Sequence, residues 1–362
     1  MQETALAPLA FYSAAPTIQV GGQGNELVTS LLLSMEMREH EGGLSALELR
    51  LTNVASQSAG ASDFAFEDGS VLALGTRLVV YAGQVNSPTE IFRGTVTALE
   101  GRFRAEGPPE LLVLAEDALQ GARMARRTKT YENITLAQLI AQVAGALGLT
   151  PITNGLDTPV GTQQQFNESD LYFARRVLAR YDADLQVVGA ELHAAPRSQT
   201  QRASIALDLG SQLRELRVTA DLADQVTTVT ATGWDYNAGQ RIAAASRTNA
   251  LGPGAGATGA AWLSQAAFAS RSEQLGKFVP LDATEAQVLA DSEYAERARS
   301  FVRAHGVCDG NPNLRVGSAL TLGGIGPRFS NTYYTTATTH RFDLIGGYQT
   351  SFTAECAYLG AA

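Results

Sequence analysis

The sequence predicts an α+β fold that is mainly β, with two β-rich units on either side of an α-helical insert. Apolar and polar residues alternate through most of residues 16–125, and no long helical pattern interrupts them. The apolar period becomes helical at residue 131, and alternation resumes at residue 184. Strands that follow one another without intervening helices form antiparallel sheets or barrels, so each β-rich unit is predicted to be one of these.

The first β-rich unit shows its pattern most clearly around Leu47, Leu49 and Leu51. These three side chains share one face of a predicted strand, whereas Glu48 lies on the other face. The long apolar run at residues 25–40 predicts another strand. Breaks rich in Gly and Asx residues separate the strands that follow, as expected for turns.

The helical insert begins in the stretch ENITLAQLIAQVAGALGLTP. Its apolar residues occupy one helical face, and Thr135 is placed to cap the helix N-terminus. Gly148 and Pro151 are placed to end the helix, because glycine favours the terminal left-handed position and proline cannot continue a helix. A helix from Leu136 to about Leu147 is therefore predicted.

A second helix, followed at once by a strand, is predicted at residues 166–188. Its candidate catalytic acids are Glu168, Asp170, Asp182 and Asp184. Acidic residues are also expected at helix starts, where they interact favourably with the helix dipole, and Ser169 or Asn167 can cap this helix. The stretch is either a catalytic patch or a structural joint between domains, and capping is the favoured role of Glu168 and Asp170.

The second β-rich unit contains a loop and a further helix. The stretch at 248–262 is rich in Gly, Ala and Pro, and is long enough for a functional or mobile loop. The helix is predicted at 284–306, where Thr284 and Gln287 have the spacing of a capping box.

The last seventy residues predict a β-hairpin with a wide turn at Gly346 and Gly347. Strict alternation places four side chains on one strand face: Tyr333, Thr335, Ala337 and Thr339. The opposite face carries Tyr334, Thr336 and Thr338. Both faces are small or amphipathic, which indicates contact with protein on both sides. His340 is interpreted as a hydrogen-bonding residue at the strand end.

Composition and charge exclude several classes of protein. Charged residues make up 17% of the chain and hydrophobic residues 45%, which indicates extensive protein-covered surface rather than disorder. The net charge of −9 argues against a dedicated nucleic-acid binder. No secretory signal and no apolar run of membrane-spanning length is visible, so we expect a chain made as a soluble cytoplasmic protein.

The sequence carries no recognised catalytic motif, and it predicts no catalytic, cofactor-binding or metal-binding residue and no cofactor. The histidines are scattered: His40, His193, His305 and His340. His305 and Cys308 have an HxxC spacing, but a structural zinc site normally takes four ligands. The GPGAGATG loop at 252–259 has the composition of a phosphate-binding loop without the Lys-Ser or Lys-Thr that such a loop carries.

Four stretches of the sequence, in the same order, resemble the late control protein D family of contractile-tailed phages: 131–149, 166–188, 314–343 and 347–355. That family is related to the hub portion of VgrG-type spike proteins and to hubs of extracellular contractile injection systems. The stretch YDADLQ departs from the resemblance, because related sequences often carry Gly and an aromatic residue there. VgrG-type chains continue into an OB-fold and a β-helical spike, so we expect an arrangement in which hub and spike are separate chains.

The resemblance implies a baseplate hub without enzymatic activity, present as a homotrimer. Each chain would contribute two tail-tube-like antiparallel β-barrels, so that three chains match a hexameric inner tube above and a trimeric spike below. Other partners would be wedge components of the baseplate, with no specific nucleic acid and no membrane insertion. We expect assembly into the baseplate of a phage tail or injection particle. The stretch 166–188 then becomes a joint rather than an active site.

Three domains are predicted on this basis: a first tube-like barrel at 1–128, an α/β insert at 129–200 and a second tube-like barrel at 201–362. The second barrel would contain the inserted loop and helix at about 250–306. The alternative function is that of a hub-derived peptidoglycan hydrolase, for which a carboxylate pair would be needed.

Overall fold

The structure is a computed structural model, and the residues that it describes are 15–56, 62–84, 86–157, 159–236, 238–246, 251–265, 270–276, 279–280 and 282–360. The six helices of these residues are α1 (Glu26–Ser30), α2 (Leu119–Met124), α3 (Leu136–Leu147), α4 (Asp170–Ala179), α5 (Gly259–Gln265) and α6 (Ala283–Arg299), and a 3-10 helix spans Arg197–Gln199.

The strands of the N-terminal part are β1 (Thr17–Val20), β2 (Gln23–Gly24), β3 (Leu32–His40), β4 (Ala46–Thr52), β5 (Ala55–Ser56), β6 (Ser62–Asp63), β7 (Arg77–Gln84), β8 (Ser87–Arg102) and β9 (Glu110–Glu116). Those of the middle part are β10 (Arg126–Tyr131), β11 (Thr150–Thr153), β12 (Gln163–Ser169), β13 (Ala183–Val188) and β14 (Glu191–Pro196). Those of the C-terminal part are β15 (Ser204–Asp208), β16 (Leu213–Ala220), β17 (Thr228–Asp235), β18 (Gln240–Ala245), β19 (Ala257–Thr258), β20 (Ser272–Gln274), β21 (Val302–Asp309), β22 (Ala319–Gly323), β23 (Asn331–Asp343), β24 (Gly347–Cys356) and β25 (Tyr358–Leu359).

One large sheet runs through both β-rich units. Eleven of its strands follow the order β16-β21-β24-β23-β3-β4-β9-β8-β7-β1-β2, and β22, with β15 beside it, also pairs with β23. Every pairing in this sheet is antiparallel except that of β15 with β22. The pairing of β3 with β23 joins the N-terminal strands to the C-terminal strands. The predicted fold class, mainly β with antiparallel sheets and helical inserts, is confirmed.

Strand β23 changes its partner halfway along one edge. Its first residues, up to Tyr334, pair with β22, and its residues from Ala337 onward pair with β3. A bulge between Thr335 and Ala337 marks the change. A bulge inserts an extra residue and shifts the alternation of the side chains.

This bulge makes the predicted strand faces wrong beyond Thr335. The buried side chains after the bulge are Thr338, His340 and Phe342, whereas Ala337 and Thr339 are partly exposed. Strict alternation cannot detect a bulge, because no local sequence signal distinguishes the extra residue. The predicted turn is present, since the hairpin reverses between Asp343 and Gly347.

Among the described residues, the buried side chains form four hydrophobic clusters. The N-terminal strands surround one cluster, which includes Leu47, Leu49 and Leu51 as predicted from their alternation. Helices α2–α4 and strands β13–β14 surround a second cluster. The C-terminal part has two, one on the large sheet and one where α6 packs against β17 and β18. Each fully buried Leu stabilises the fold by roughly 1.5–3 kcal/mol.

The helices of the insert begin where their caps predict. Thr135 Oγ1 accepts a hydrogen bond from Gln138 N, Thr135 N donates one to Gln138 Oε1, and Gly148 ends α3 with φ of 68°. Ser169, one of the two predicted caps of α4, accepts from Tyr172 N. Local capping chemistry is sufficient to set these boundaries.

Helix α6 ends at Arg299, and strand β21 begins at Val302, so the predicted helix end at residue 306 is wrong. Two other predicted boundaries are wrong for one shared reason. Helix α6 is capped by Asp282, whose carboxylate accepts from Glu285 N, instead of the Thr284–Gln287 box. In the run at 25–40, Asn25 caps the short helix α1 before strand β3 begins. In both places an earlier Asx residue provides the acceptor for the free backbone N–H groups.

Candidate functional site

Each of the four candidate acids in residues 166–188 forms an ion pair with an arginine: Glu168 with Arg176 at 2.8 Å, Asp170 with Arg127 at 3.4 Å, Asp182 with Arg299 at 2.5 Å and Asp184 with Arg202 at 2.6 Å. The first pair lies within the insert, and the second connects the insert to Arg127 of β10, just before it. The last two connect the insert to residues of the second β-rich unit. The structure therefore places Asp182 and Asp184 at a contact between parts of the chain, as expected for a structural joint.

The centre of this contact is a buried group that we call the junction core: Glu39, Gln186, Arg315, Thr338 and His340. These residues come from the first β-rich unit, the insert and the second β-rich unit. They meet where β22 and β3 adjoin along β23.

Glu39 is the central residue of the junction core and is fully buried. Its carboxylate pairs with the Arg315 guanidinium, whose Nε lies 2.7 Å from Oε2. It also accepts hydrogen bonds from Gln186 Nε2 at 3.0 Å and from Thr338 Oγ1 at 3.2 Å. A buried charge is tolerated only when it is paired and hydrogen-bonded, and Glu39 satisfies both conditions.

The charge states in the junction core follow from burial and from Arg315. Burial would raise the pKa of Glu39, but the charge and hydrogen bonds of Arg315 outweigh it and hold the pKa below its usual value. Burial, together with the Arg315 charge, lowers the pKa of His340 to about 4. His340 is therefore neutral at pH 7, with Nδ1 2.8 Å from the Tyr348 hydroxyl.

A second group lies beside the junction core, and we call it the outer ionic cluster: Glu41, Asp182, Asp184, Arg197, Arg202, Arg299 and Glu355. Arg197 contacts two carboxylates, with Nε 2.7 Å from Glu41 Oε1 and Nη2 2.5 Å from Glu355 Oε1. Its guanidinium lies over the Tyr334 ring, 4.4 Å from the centroid. Arg299 binds both oxygens of Asp182, at 2.5 and 2.7 Å.

The outer ionic cluster is open to solvent through a cleft of about 560 Å³, which Glu41, Asp182, Arg197 and Arg299 help to line. Burial, reinforced by the charges of Asp184 and Glu355 and opposed by Arg197 and Arg299, raises the pKa of Glu41 to about 7. Glu41 is therefore partly protonated near neutral pH.

Backbone contacts complete the joint between α4 and the β3–β4 turn. Arg175 of α4 donates to the carbonyl oxygens of Gly42 and Gly43, both at 2.6 Å. Gly43 has φ of 78°, and a Cβ there would lie 2.5 Å from Leu119 Cδ1 and 3.1 Å from Leu185 O. Only glycine fits this close approach without displacing the insert.

The other sequence candidates are not brought together into a site. His305 is exposed on β21, and Cys308 is buried three residues further on the opposite strand face. His193 contacts Glu191 at 2.8 Å, and His40 is exposed. Within the described ranges, no group of three or more His, Cys, Asp or Glu residues could hold a metal ion.

The glycine-rich loop at 252–259 contacts the protein itself. A Cβ at Gly254 would lie 2.6 Å from Cys356 Sγ, and one at Gly256 would lie 2.2 Å from Leu359 O. Asn331 holds the loop by accepting from Ala255 N and donating to Ala255 O. The glycines therefore serve close packing against the chain's C-terminal strands. In the part of the chain that the structure describes, no helix is both long and apolar enough to cross a membrane.

Sequence reasoning missed Glu39, Arg315 and Arg197. One signal was available for Glu39: it continues the alternation of Met35 and Met37, and so falls on the buried face of β3. A carboxylate in such a position requires a buried partner. The partner itself could not be identified, because Arg315 lies 276 residues away.

The fold and the junction between two β-rich units define a protein with the fold of phage tail proteins. Three solved structures share it. A 43 kDa tail protein of prophage MuSo2 from Shewanella oneidensis is 13% identical, with a TM-score of 0.71 over 95% of this chain and 98% of that chain. A tail protein from Neisseria meningitidis MC58 is 9% identical, with a TM-score of 0.66 over 94% and 96% of the two chains.

The third structure is an E. coli component of the type VI secretion system, described as structurally similar to the T4 tail proteins gp27 and gp5. It is 12% identical, with a TM-score of 0.59 over 95% of this chain and 79% of that chain. At these identities the likeness establishes the fold. The chain belongs to the family of the Alg8 N-terminal domain, because the model of that family matches residues 19–343. No curated protein matches the sequence.

Proposed function

We propose that this chain is a structural hub protein in the baseplate of a contractile phage tail or contractile injection system. In this proposal it is a homotrimer that adapts a six-fold inner tube to a three-fold spike. The fold of phage tail and type VI secretion proteins supports a structural tail component. The stretches at 166–188 and 314–343, which resemble the late control protein D family, support the more specific role of a hub.

The observation that carries the proposal is the presence of two β-rich units in one continuous sheet. Each unit has its own hydrophobic cluster, and they join edge to edge where β3 pairs with β23 from Ala337 to Asp343. Three copies would therefore supply six such units to a ring. Heterologous contacts with closed cyclic symmetry generate rings of this kind. The tube hexamer, the trimeric spike and the wedge components are the partners that such a ring would contact.

The junction core has a direct part in this proposal. A ring that matches a six-fold tube needs a fixed angle between the two units of each chain. Glu39 on β3, Arg315 before β22 and Thr338 on β23 tie the units together beside the shared sheet edge. The ion pair with the fully buried Glu39 restricts alternative arrangements, because any other arrangement would leave Glu39 without its partner.

The alternative function, peptidoglycan hydrolysis, needs one carboxyl group as acid and a second carboxylate placed for attack or for activating water. The candidate acids Asp182 and Asp184 instead form ion pairs with Arg299 and Arg202. Their partners and the contacts across the joint favour the structural role. Peptidoglycan hydrolysis is therefore the alternative outcome of an experiment on the purified chain.

The test is the mass of the purified chain by light scattering, alone and with candidate tube and spike proteins from the same source. We expect about three times 38.2 kDa, and a ring with three-fold symmetry by negative-stain electron microscopy. A chain that stays monomeric and fails to bind either partner would contradict the proposal. Release of peptidoglycan fragments that is abolished by Asp184→Asn would support the alternative.

A further inference from the structure

The outer ionic cluster contains one carboxylate more than it has guanidinium groups. Its carboxylates are Glu41, Asp182, Asp184 and Glu355, and its guanidinium groups are those of Arg197, Arg202 and Arg299. Arg175, Glu296 and the exposed His40 also line the cleft, and Arg175 and Glu296 add one charge of each sign. With His40 neutral, the cluster is therefore balanced only when one carboxylate carries a proton.

We propose that a proton bound at Glu41 stabilises the contact between the two β-rich units, and that its release weakens this contact. The device is thus a pH-dependent joint, distinct from the permanently paired junction core. It is a property of the single chain and does not depend on the proposed function.

The position of Glu41 connects its charge directly to the joint. Glu41 follows β3 immediately, and its backbone N–H donates to Thr336 O at 2.9 Å, at the bulge of β23. Its side chain shares Arg197 with Glu355, a residue of β24 in the second unit. Two ionised carboxylates at one guanidinium repel each other, whereas a neutral Glu41 removes this repulsion.

The groups that face Glu41 come from four elements. Arg197 belongs to the 3-10 helix, Asp184 to β13, Arg299 to α6 and Glu355 to β24. The two acids favour the protonated form of Glu41, and the two arginines oppose it. The pKa of Glu41, raised by burial to about 7, agrees with proton uptake at this position. The cleft of about 560 Å³ gives solvent access to the cluster.

The test compares wild type with Glu41→Gln, which mimics the protonated side chain. A raised folded-state pKa gives stability that is present below pH 4.5 and is lost as the pH rises through about 7. Because each unit of pKa difference is a tenfold factor, the wild-type folding constant should fall about a hundredfold relative to Glu41→Gln between pH 5 and 8. Urea unfolding at several pH values measures this ratio. Glu48→Gln, on neighbouring β4, is the matched control and should follow the wild type.

Two further measurements make the proposal easy to refute. Glu355→Gln removes the like charge beside Glu41, so the loss of stability with rising pH should begin at a lower pH. Glu41→Gln should abolish this loss. In the wild type, hydrogen exchange of the Glu41 amide, corrected for intrinsic rates, should lose protection between pH 6 and 8. The proposal is overturned if wild type and Glu41→Gln lose stability in parallel. If Glu41→Gln fails to fold, the wild type alone decides the question. Protection of its Glu41 amide that stays constant between pH 6 and 8 would overturn the proposal.

Discussion

The junction core and the outer ionic cluster are built from the same types of residue but differ in balance and exposure. Both receive a glutamate from the end of the β3 segment, two residues apart: Glu39 in the core and Glu41 in the cluster. Glu39 has one arginine and several neutral donors, and it is fully buried. Glu41 shares its arginine with Glu355 and lies beside a cleft.

This difference shows how a contact between two parts of one chain can contain both an ion pair that stays charged and a cluster whose charge depends on pH. The matched pair of Glu39 and Arg315 keeps its charges at any ordinary pH, because separating the two would leave the fully buried Glu39 as an unpaired ion. An unmatched, accessible cluster can exchange a proton at modest cost. We infer that the core sets the geometry of the two β-rich units and that the cluster modulates how tightly they are held.

The largest effect is expected from Arg315→Ala. The substitution leaves Glu39 buried without its counter-ion, so the free energy of unfolding should fall by about 3–5 kcal/mol, the usual cost of breaking a buried pair. Urea denaturation at pH 7 measures the change. In a second variant, Glu39→Leu combined with Arg315→Met removes both charges and should recover most of the loss. A double variant no more stable than Arg315→Ala would mean that packing, and not the unpaired charge, accounts for the effect.

The second effect concerns His340 and the acid side of the pH range. Its pKa is lowered to about 4 in the folded protein, against about 6.5 when unfolded, so the unfolded chain binds the additional proton between these values. Stability should therefore rise with pH from 4 to 6.5, by at most about 3 kcal/mol from this residue. The difference between wild type and His340→Gln isolates the contribution, because other groups titrate in both proteins. A difference that does not vary with pH would contradict the assignment of a buried neutral imidazole.

The third effect is expected from substitutions of Asp182, a residue of the outer ionic cluster that adopts φ of 50°. Both Asp182→Ala and Asp182→Gly remove a carboxylate partner of buried Arg299. Alanine is strained in the left-handed backbone conformation, whereas glycine adopts it without strain. Thermal or urea unfolding should find the alanine variant less stable than the glycine variant by about 1 kcal/mol. Equal stabilities would indicate that the backbone of residue 182 relaxes in both.

The parts of the fold that depend on local chemistry could be predicted from the sequence. Thr135 and Ser169 cap their helices as expected, and the Leu47–Leu51 alternation correctly identified a buried face. The site could be predicted only in outline, as a joint at residues 166–188. Its central pair, Glu39 with Arg315, depends on the pairing of β3 with β23, and no local pattern encodes contacts between residues so far apart.

The smallest effect is expected at an exposed ion pair that otherwise resembles the Glu39–Arg315 pair of the junction core. Glu36, also on β3, binds Arg341 of β23 with a distance of 2.8 Å, but the Arg341 side chain is 57% exposed. Exposed ion pairs contribute about 0–1 kcal/mol, so Arg341→Ala should change the free energy of unfolding by less than about 1 kcal/mol. This variant is the matched control for Arg315→Ala, because both arginines pair with a glutamate of β3.

Salt separates the two pairs further. At 1 M salt the Debye length falls to about 3 Å, so the small effect of Arg341→Ala should become smaller still. The effect of Arg315→Ala should persist, because the carboxylate of Glu39 that it leaves unpaired is fully buried. If both effects fell together with salt, Glu39 would have to be accessible to solvent. The contrast between a permanent junction core and a responsive outer cluster would then fail at its first step.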